Sequence, residues 1–262
     1  MAGFIHCAEI DFRFPSRQGE PARVLEGFEL DIERGEFFCL LGPSGCGKTT
    51  VLNLLAGFEQ PSAGRILVDG VPIHGPGVAR TVVFQGDDSL FGWLTAVENV
   101  EFVLRLAGID DRTRRATAER YLELVGLRGQ GDKYPSQLSG GMKQRIQIAR
   151  ALVCDSPILL MDEPFAALDA QTRSTLQDEL IGIWQKTGRT FLFITHDIGE
   201  AILLSDRIGL MTAGPASHMK TIVPVELPRP RRRGDPAFGA LYERVAAIVS
   251  EEVNRRAAEV AA

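Results

Sequence analysis

Residues 42–49 read Gly-Pro-Ser-Gly-Cys-Gly-Lys-Thr and fit the phosphate-binding loop pattern G-x-x-x-x-G-K-[ST]. The apolar run Phe37–Leu41 before the loop predicts a buried strand, and the mostly apolar stretch Val51–Ala56 after it predicts a helix. A glycine loop between a strand and a helix lets backbone N–H groups converge on phosphate oxygens at the helix N-terminus. We therefore expect this chain to bind a nucleotide.

We expect different roles for individual side chains of the loop. Lys48 would reach the β- and γ-phosphates, and the Thr49 hydroxyl would ligate Mg²⁺. Without nucleotide, Lys48 would serve an empty site. Cys46 stands at a helix N-terminus, which favours a thiolate and hence reaction with a maleimide.

Composition narrows the class of protein. With 262 residues the chain could form one large domain or two small ones, and its 45% hydrophobic and 24% charged residues are typical of a soluble protein. Its apolar runs are far shorter than the roughly 20 residues that cross a bilayer. A net charge of -5 argues against a nucleic-acid partner. The start lacks a secretory signal, and four cysteines without zinc-type spacing indicate reduced thiols in a cytoplasmic protein.

The pattern of strands and helices predicts an α/β fold. Alternation in residues 4–14 and 23–33 indicates two antiparallel strands, joined by a turn at 15–21. Further apolar runs predict strands at 65–68, 81–84, 158–161 and 191–194, with helices between them. Strands that alternate with helices imply a parallel sheet with crossover connections.

Helical periodicity begins near Thr95 and indicates an insert at approximately 95–153 within a nucleotide-binding domain at 1–214. We expect residues 215–262 to form a polar C-terminal tail with one helix near 236–257. The arginines at 229–233 are interpreted as a solvated face, or alternatively as a contact for lipid headgroups.

Polar residues follow three of the predicted strands. Asp162 and Glu163 end the strand at 158–161, where Asp162 would hold Mg²⁺ and Glu163 would polarise the attacking water. Helix-capping acids are the alternative, since Pro164 follows. Gln85 could complete the Mg²⁺ shell and sense the γ-phosphate, and His196 could hydrogen-bond that phosphate. Either residue alone carries little information.

A second phosphate site is indicated by Ser139-Gly140-Gly141, which opens a helix without an accompanying loop lysine. One domain needs only one such site for its own nucleotide. The economical explanation is that this site completes the pocket of a second copy in a head-to-tail pair.

Together these motifs resemble the nucleotide-binding subunit of an ATP-binding cassette (ABC) transporter over roughly residues 4–212. The elements follow the family's order, from the phosphate loop through Gln85, the signature at 138–142 and the run 158–163 to Asp169 and His196. The resemblance implies a P-loop NTPase core with a mainly parallel sheet, an N-terminal antiparallel β subdomain and an inserted α-helical subdomain. It also implies ATP and Mg²⁺ as ligands.

The resemblance assigns roles residue by residue. Phe14 would stack on adenine, although its strand position alone would suggest a core residue, and Asp169 would couple the two copies. Met142 stands where the family usually has glutamine, which puts a ribose contact in doubt. The implied nucleotide-binding residues, besides Phe14, are Gly42, Pro43, Ser44, Gly45, Cys46, Gly47, Lys48, Thr49, Thr50, Ser139, Gly140 and Gly141. The implied catalytic residues are Lys48, Gln85, Glu163, Asp169 and His196, and the implied metal ligands are Thr49, Gln85 and Asp162.

Closer motifs, including Trp93–Val100 and Asp162–Asp169, resemble the nitrate/sulfonate/taurine importer ATPases. This implies an ATPase on the inner face of the cell membrane that works with a second copy, two permease subunits docking near Gly86–Thr95 and, indirectly, a solute-binding protein. Phe91 and Trp93 could anchor the permease or could be core residues. Rival interpretations are a non-transport ABC ATPase acting on nucleic acid or ribosomes, and a phosphate-loop kinase.

Overall fold

A computed structural model describes residues 3–15, 21–86 and 89–261 of the chain. The chain forms two compact units, Met1–Gly77 with Gly188–Ala262 as the first and Val78–Thr187 as the second. The first unit begins with β1 (Ile5–Phe14), β2 (Ala22–Ile32), β3 (Phe37–Leu41), α1 (Lys48–Ala56), β4 (Ala63–Val68) and β5 (Val71–Pro72). The second unit contains β6 (Arg80–Val83), α2 (Ala96–Leu106), α3 (Asp111–Leu124), a 3-10 turn (Pro135–Gln137), α4 (Gly140–Leu152), β7 (Ile158–Asp162) and α5 (Ala170–Thr187). The first unit then resumes with β8 (Thr190–Ile194), α6 (Ile198–Leu204), β9 (Arg207–Met211), β10 (Met219–Pro224) and α7 (Pro236–Ala261).

An antiparallel sheet of the order β2-β1-β4-β5 forms part of the first unit. β1 and β2 pair from Ile5 opposite Ile32 to Phe14 opposite Ala22, which confirms the two antiparallel strands expected from alternation. The turn predicted between them falls largely on residues 16–20, which lie outside the described residues.

The remaining strands of the first unit surround β3, which pairs in parallel with β8 on one side and with β9 on the other. Every residue of β3 and β8 is buried. Strands covered on both faces read as continuous apolar runs, which is why the sequence predicted both. Leu40 lies opposite Ile194, so the phosphate loop and His196 follow the carboxyl ends of neighbouring strands.

In the second unit, β6 and β7 pair in parallel, with Val83 opposite Met161. Gln85 and the pair Asp162-Glu163 therefore leave the same edge of this sheet. The helices predicted by periodicity are present as α2, α3 and α4. At the start of α2 the Thr95 side chain accepts from the Glu98 backbone, and Glu98 accepts from the Thr95 backbone, a capping box that fixes where the helix begins.

The C-terminal segment contains elements that the sequence interpretation missed. β10 pairs antiparallel with β9, from Met219 opposite Met211 to Pro224 opposite Arg207. Because β9 also pairs with β3, β10 adds a further strand to this sheet, and it does so with residues that were expected to form a polar tail. The tail helix near 236–257 corresponds to α7, which runs over Pro236–Ala261.

The expectation of a solvated arginine face is wrong for two members of the 229–233 cluster. Arg231 is only 8% exposed and donates to carbonyl oxygens of Ile202 (2.6 Å), Ser205 (2.5 Å) and Val225 (3.0 Å). Arg229 donates to the Asp206 carboxylate at 2.6 Å. A planar guanidinium carries five donors in a fixed fork, so it can satisfy several buried carbonyls at once. Burial lowers the pKa of Arg231 to about 10.

None of the helices in the described ranges combines the length and the apolar character that crossing a membrane requires.

Candidate active site

The loop at residues 42–49 joins β3 to α1, as its sequence predicted. Gly45 and Gly47 have φ values of 78° and 94°, a left-handed conformation that glycine adopts without strain. A Cβ on Gly42 would lie 2.7 Å from the Cys46 sulfur and 3.1 Å from the Met211 Cβ. The loop thus requires glycine at several positions, and such alternation of backbone conformation turns successive N–H groups toward one anion.

Lys48 is folded back over this loop. Its side-chain nitrogen donates to the carbonyl oxygens of Gly42 at 2.8 Å and Pro43 at 3.1 Å, and the residue is only 8% exposed. The expectation that Lys48 serves an empty site without nucleotide is therefore wrong. The Lys48 ammonium bridges the two loop carbonyls, and a bound phosphate could replace them as its hydrogen-bond acceptor.

Cys46 also differs from expectation. Its side chain is 1% exposed, and burial raises the pKa of the thiol more than the nearby Lys48 ammonium lowers it. The partial charge of a helix N-terminus favours a thiolate only where the sulfur keeps contact with water. The expectation that this position favours a thiolate is therefore wrong, although the residue remains part of the loop.

Other predicted residues of the first unit are accessible to a ligand. Thr49, Ser44 and His196 are exposed, whereas Thr50 is buried. Phe14 is 44% exposed, and its ring stands edge-on to that of Phe12 at a centroid distance of 4.9 Å. This exposure disfavours the strand-core alternative for Phe14, and adenine stacking stays a prediction.

In the second unit, the structure brings Gln85 and Glu163 into contact, with the amide nitrogen 3.2 Å from a carboxylate oxygen. Asp162, the last residue of β7, is 5% exposed. Glu163 has a φ of 43°, a left-handed backbone conformation that is strained in any residue with a Cβ atom. Strain of this kind is often found where a side chain must be aimed.

Ser139 is the N-cap of α4, and its hydroxyl oxygen accepts the Met142 N–H at 3.3 Å. Only the backbone of Met142 takes part, so the replaced glutamine side chain does not affect the cap. A Cβ on Gly141 would lie 3.2 Å from Leu168 Cδ2, so even a methyl group would crowd this turn. The helix N-terminus predicted as an anion site is therefore present.

Asp169 precedes α5, and its carboxylate accepts the Thr172 N–H at 2.9 Å. Hydrogen bonds from Thr172 hold the pKa of Asp169 below its ordinary value. Arg145 donates to the Thr172 hydroxyl at 2.7 Å, which ties this turn to α4. Asp169 is ionised and exposed, as a contact to another copy would require.

Residues that sequence reasoning missed hold the segment after Gln85. Gln147 and Arg150, both on α4, donate to the carbonyl oxygens of Gly86 at 2.6 Å and Ser89 at 2.8 Å. Asn99 accepts the Phe91 N–H at 2.9 Å and is fully buried. The sequence signal for these residues was that each is a polar residue at a helix position where the periodicity calls for an apolar one. Residues 87–88 of the proposed docking segment lie outside the described residues.

Trp93 is 75% exposed, whereas Phe91 is half-buried. The Phe91 ring packs on Phe102 at a centroid distance of 4.7 Å and beneath the Arg150 guanidinium at 5.5 Å. The two alternatives, permease anchor and core residue, therefore apply to different members of this pair. Phe91 is largely a packing residue, and Trp93 presents its side chain to solvent.

The predicted residues are divided between the two units. The first unit holds Phe14, the phosphate loop and His196, and the second holds Gln85, Ser139–Gly141, Asp162, Glu163 and Asp169. The hydroxyl, amide and carboxylate oxygens of Thr49, Gln85 and Asp162 are of the type that Mg²⁺ prefers, so these residues fit the ion by chemistry.

Comparison with known proteins identifies relatives of the whole arrangement. Residues 25–166 match the ABC transporter family. An uncharacterised ABC transporter ATP-binding protein of Methanocaldococcus jannaschii is 47% identical over 235 residues, which cover 90% of this chain and 87% of that one. The nitrate import ATP-binding protein NrtD of Synechococcus elongatus is 44% identical, covering 91% and 89%. The taurine import ATP-binding protein TauB of Chromobacterium violaceum is 47% identical, covering 92% and 93%.

Solved structures agree. The ATP-binding cassette MJ0796, in a dimeric post-hydrolysis state bound to ADP and phosphate, superposes with a TM-score of 0.77 at 29% identity. The match covers 85% of this chain and 99% of that one. The ATPase cassette fold inferred from the motifs is thus confirmed.

Proposed function

Because this chain belongs to the ABC transporter family, whose cassettes hydrolyse ATP, we propose that it is the ATPase subunit that powers an importer for a small solute. The observation that carries the catalytic part is the contact between Gln85 and Glu163 at the carboxyl edge of β6 and β7. The importer part is supported by 44% and 47% identity to the nitrate and taurine import proteins. We extend the solute to their class, nitrate, sulfonates or taurine-like molecules.

Nucleotide binding is assigned to the first unit. Backbone N–H groups of the loop after Pro43, which itself has none, would receive the phosphates, with Lys48 leaving the Gly42 and Pro43 carbonyls to pair with the β- and γ-phosphates. The exposed Phe14 ring would stack on adenine. When bound, Mg²⁺ would neutralise phosphate charge, held by Thr49, Gln85 and Asp162.

Hydrolysis is assigned to Glu163, whose carboxylate would accept a proton from the attacking water. The Gln85 amide donates to that carboxylate and so fixes the direction of its free lone pairs. His196, exposed after β8, would donate to the γ-phosphate. The strained backbone of Glu163 is consistent with an aimed side chain.

Two copies would form the working unit. Ser139, Gly140 and Gly141 at the α4 N-terminus would bind the γ-phosphate held by the other copy, and the ionised Asp169 would contact that copy. Closure with ATP and opening after hydrolysis would move two permease subunits. The MJ0796 cassette was solved as a dimer, which supports this arrangement.

The permease would dock near Gly86–Thr95, with Trp93 as an exposed anchor. Because Gln147 and Arg150 bind that segment from α4, movement of the α4 N-terminus would be transmitted to it. The subunit would then lie on the inner face of the cell membrane. A solute-binding protein on the other face would choose the solute.

Co-purification tests this function. The chain should be expressed with the membrane protein encoded beside it, purified through a tag on that membrane protein and placed in vesicles. We expect stable capture and ATP hydrolysis that nitrate, taurine or a related sulfonate stimulates through the adjacent binding protein. Hydrolysis without capture would exclude the transport role, and capture without hydrolysis would exclude the catalytic role.

A further inference from the structure

The C-terminal helix α7 is firmly attached to the first unit. Phe238 is 4% and Val245 0% exposed. Further along, Glu252 is 5% exposed and accepts the Ala213 N–H at 3.0 Å and the Lys220 ammonium at 2.7 Å. A buried carboxylate with these donors gives α7 a fixed position rather than a loose one.

One helical turn beyond Glu252, on the same face, Arg256 reaches the phosphate loop. Its Nη1 donates to the Ser44 carbonyl oxygen at 2.6 Å, a contact between residues far apart in the chain. The guanidinium also lies 3.8 and 3.9 Å from the point where a Cβ on Gly45 would sit. A charge-assisted hydrogen bond of this length is among the stronger contacts a backbone carbonyl makes.

The same helix supports the next peptide of the loop indirectly. Glu252 holds Ala213, and the neighbouring Gly214 packs so closely that a Cβ there would lie 3.1 Å from the Gly45 carbonyl oxygen. The Ser44 carbonyl is thus bound directly by α7, and the Gly45 carbonyl lies beside Gly214, next to a residue that α7 holds.

A trans peptide is planar, so its C=O and the following N–H point in opposite directions. The Ser44–Gly45 peptide is trans, since the described cis bonds are at Gly214-Pro215 and Arg229-Pro230. A guanidinium that holds the Ser44 oxygen on the α7 side therefore directs the Gly45 N–H to the opposite side of the loop. Gly45, with its positive φ, could otherwise turn this peptide at little cost.

We propose that Arg256 is a positioning residue for nucleotide binding, which holds the Ser44–Gly45 peptide so that the Gly45 N–H faces the nucleotide phosphates. The inference rests on the proposed role of the loop. It adds a residue outside the family motifs and makes α7 part of the nucleotide site. Arg256 acts through the loop and does not touch the nucleotide.

Binding of Mg-ADP to the full-length protein tests this, because ADP reports the loop without closure of two copies. Arg256→Ala should raise the Kd about three- to tenfold, the range expected for one lost hydrogen bond. The KM for ATP should rise by a similar factor while kcat changes less than about twofold, since the chemical step is untouched. Arg256→Lys, which keeps one donor and the charge, should recover part of the affinity.

Arg244→Ala is the matched control, because it removes one exposed arginine from the same helix. Its Kd should equal that of the wild type, and its melting temperature should too, whereas that of Arg256→Ala should fall by no more than about 4 °C, the cost of one lost hydrogen bond. The inference would be overturned if Arg256→Ala bound Mg-ADP as tightly as Arg244→Ala, whether both kept the wild-type affinity or both lost the same part of it. If Arg256→Ala is unstable, Arg256→Lys decides, and wild-type affinity together with wild-type kcat and KM would overturn the inference. A wild type that binds no ADP would instead refute the proposed function.

Discussion

The Gln85 amide nitrogen lies 3.2 Å from a carboxylate oxygen of Glu163, across the carboxyl ends of the neighbouring parallel strands β6 and β7. One residue senses phosphate and the other activates water in the proposed reaction. Their contact means that a change in the Gln85 segment would reach the proposed catalytic base directly. That segment is in turn held by Gln147 of α4. The arrangement links the proposed docking surface to the proposed chemistry.

Lys48→Ala should abolish ATP hydrolysis, because it removes the cation proposed to pair with the β- and γ-phosphates. The structure adds an effect on stability. The Gly42 and Pro43 carbonyls lose their donor, which should cost about 1 to 2 kcal/mol and lower the melting temperature by a few degrees. Phosphate release and thermal unfolding measure the two effects. Lys186→Ala, an exposed lysine on α5, is the control and should change neither. Retained turnover in Lys48→Ala would refute the loop assignment.

Cys46 should resist maleimide at pH 7, because burial raises the pKa of its thiol and the reactive thiolate is scarce. Burial likewise raises the pKa of Cys7 to about 12. Labelling should therefore fall first on Cys154, which is half-buried, and ATP hydrolysis should persist. Reaction at Cys46 should speed up as pH rises toward its raised pKa. Mass spectrometry locates the label, with Cys154→Ser as control. Rapid inactivation of that variant, prevented by Mg-ATP, would show that Cys46 is open after all.

Trp93→Ala should leave the melting temperature and basal ATP hydrolysis within error of the wild type, because its side chain is 75% exposed. It should reduce capture by the membrane subunit. Phe91→Ala, in contrast, removes a ring that packs on Phe102 and should cost about 2 to 4 kcal/mol of stability. Pull-down and thermal unfolding of the two single variants separate docking from packing. Undiminished capture of Trp93→Ala would remove Trp93 from the interface.

Much of the fold was accessible from sequence, for physical reasons. β3 and β8 are buried on both faces and so appear as unbroken apolar runs, and the glycine loop carries its own backbone requirement. The side-chain partners were less accessible. Gly42 is crowded by Met211 of β9, and the contact of Arg256 with Ser44 joins residues far apart in the chain. No local pattern encodes such distant neighbours.

Arg231 shows the same limit, since its cluster reads as a solvated face although the side chain is buried. Arg231→Met should leave the carbonyls of Ile202, Ser205 and Val225 without this donor. At roughly 1 kcal/mol or more for each, we expect a loss of about 3 kcal/mol and a melting temperature lower by about 6 to 12 °C. Arg232→Met, at an exposed position, is the control. Equal melting temperatures would show that other donors replace Arg231.

The central claim, that Glu163 activates water inside a pair of copies joined by ATP, is tested most directly with Glu163→Gln. The amide keeps the size of the side chain but cannot accept a proton, so ATP should bind and remain uncleaved. Its γ-phosphate would keep joining the loop of one copy to Ser139 and Gly141 of the other.

Size-exclusion chromatography with light scattering gives the answer. We predict a monomer without nucleotide or with ADP and a dimer with ATP. Adding Ser139→Arg should abolish the dimer, because a bulky cation cannot fit the N-terminus of α4. A Glu163→Gln protein that binds ATP and stays monomeric at high concentration would contradict the paired mechanism. Full ATP hydrolysis by that variant would assign the water-activating role elsewhere, with His196 the next candidate.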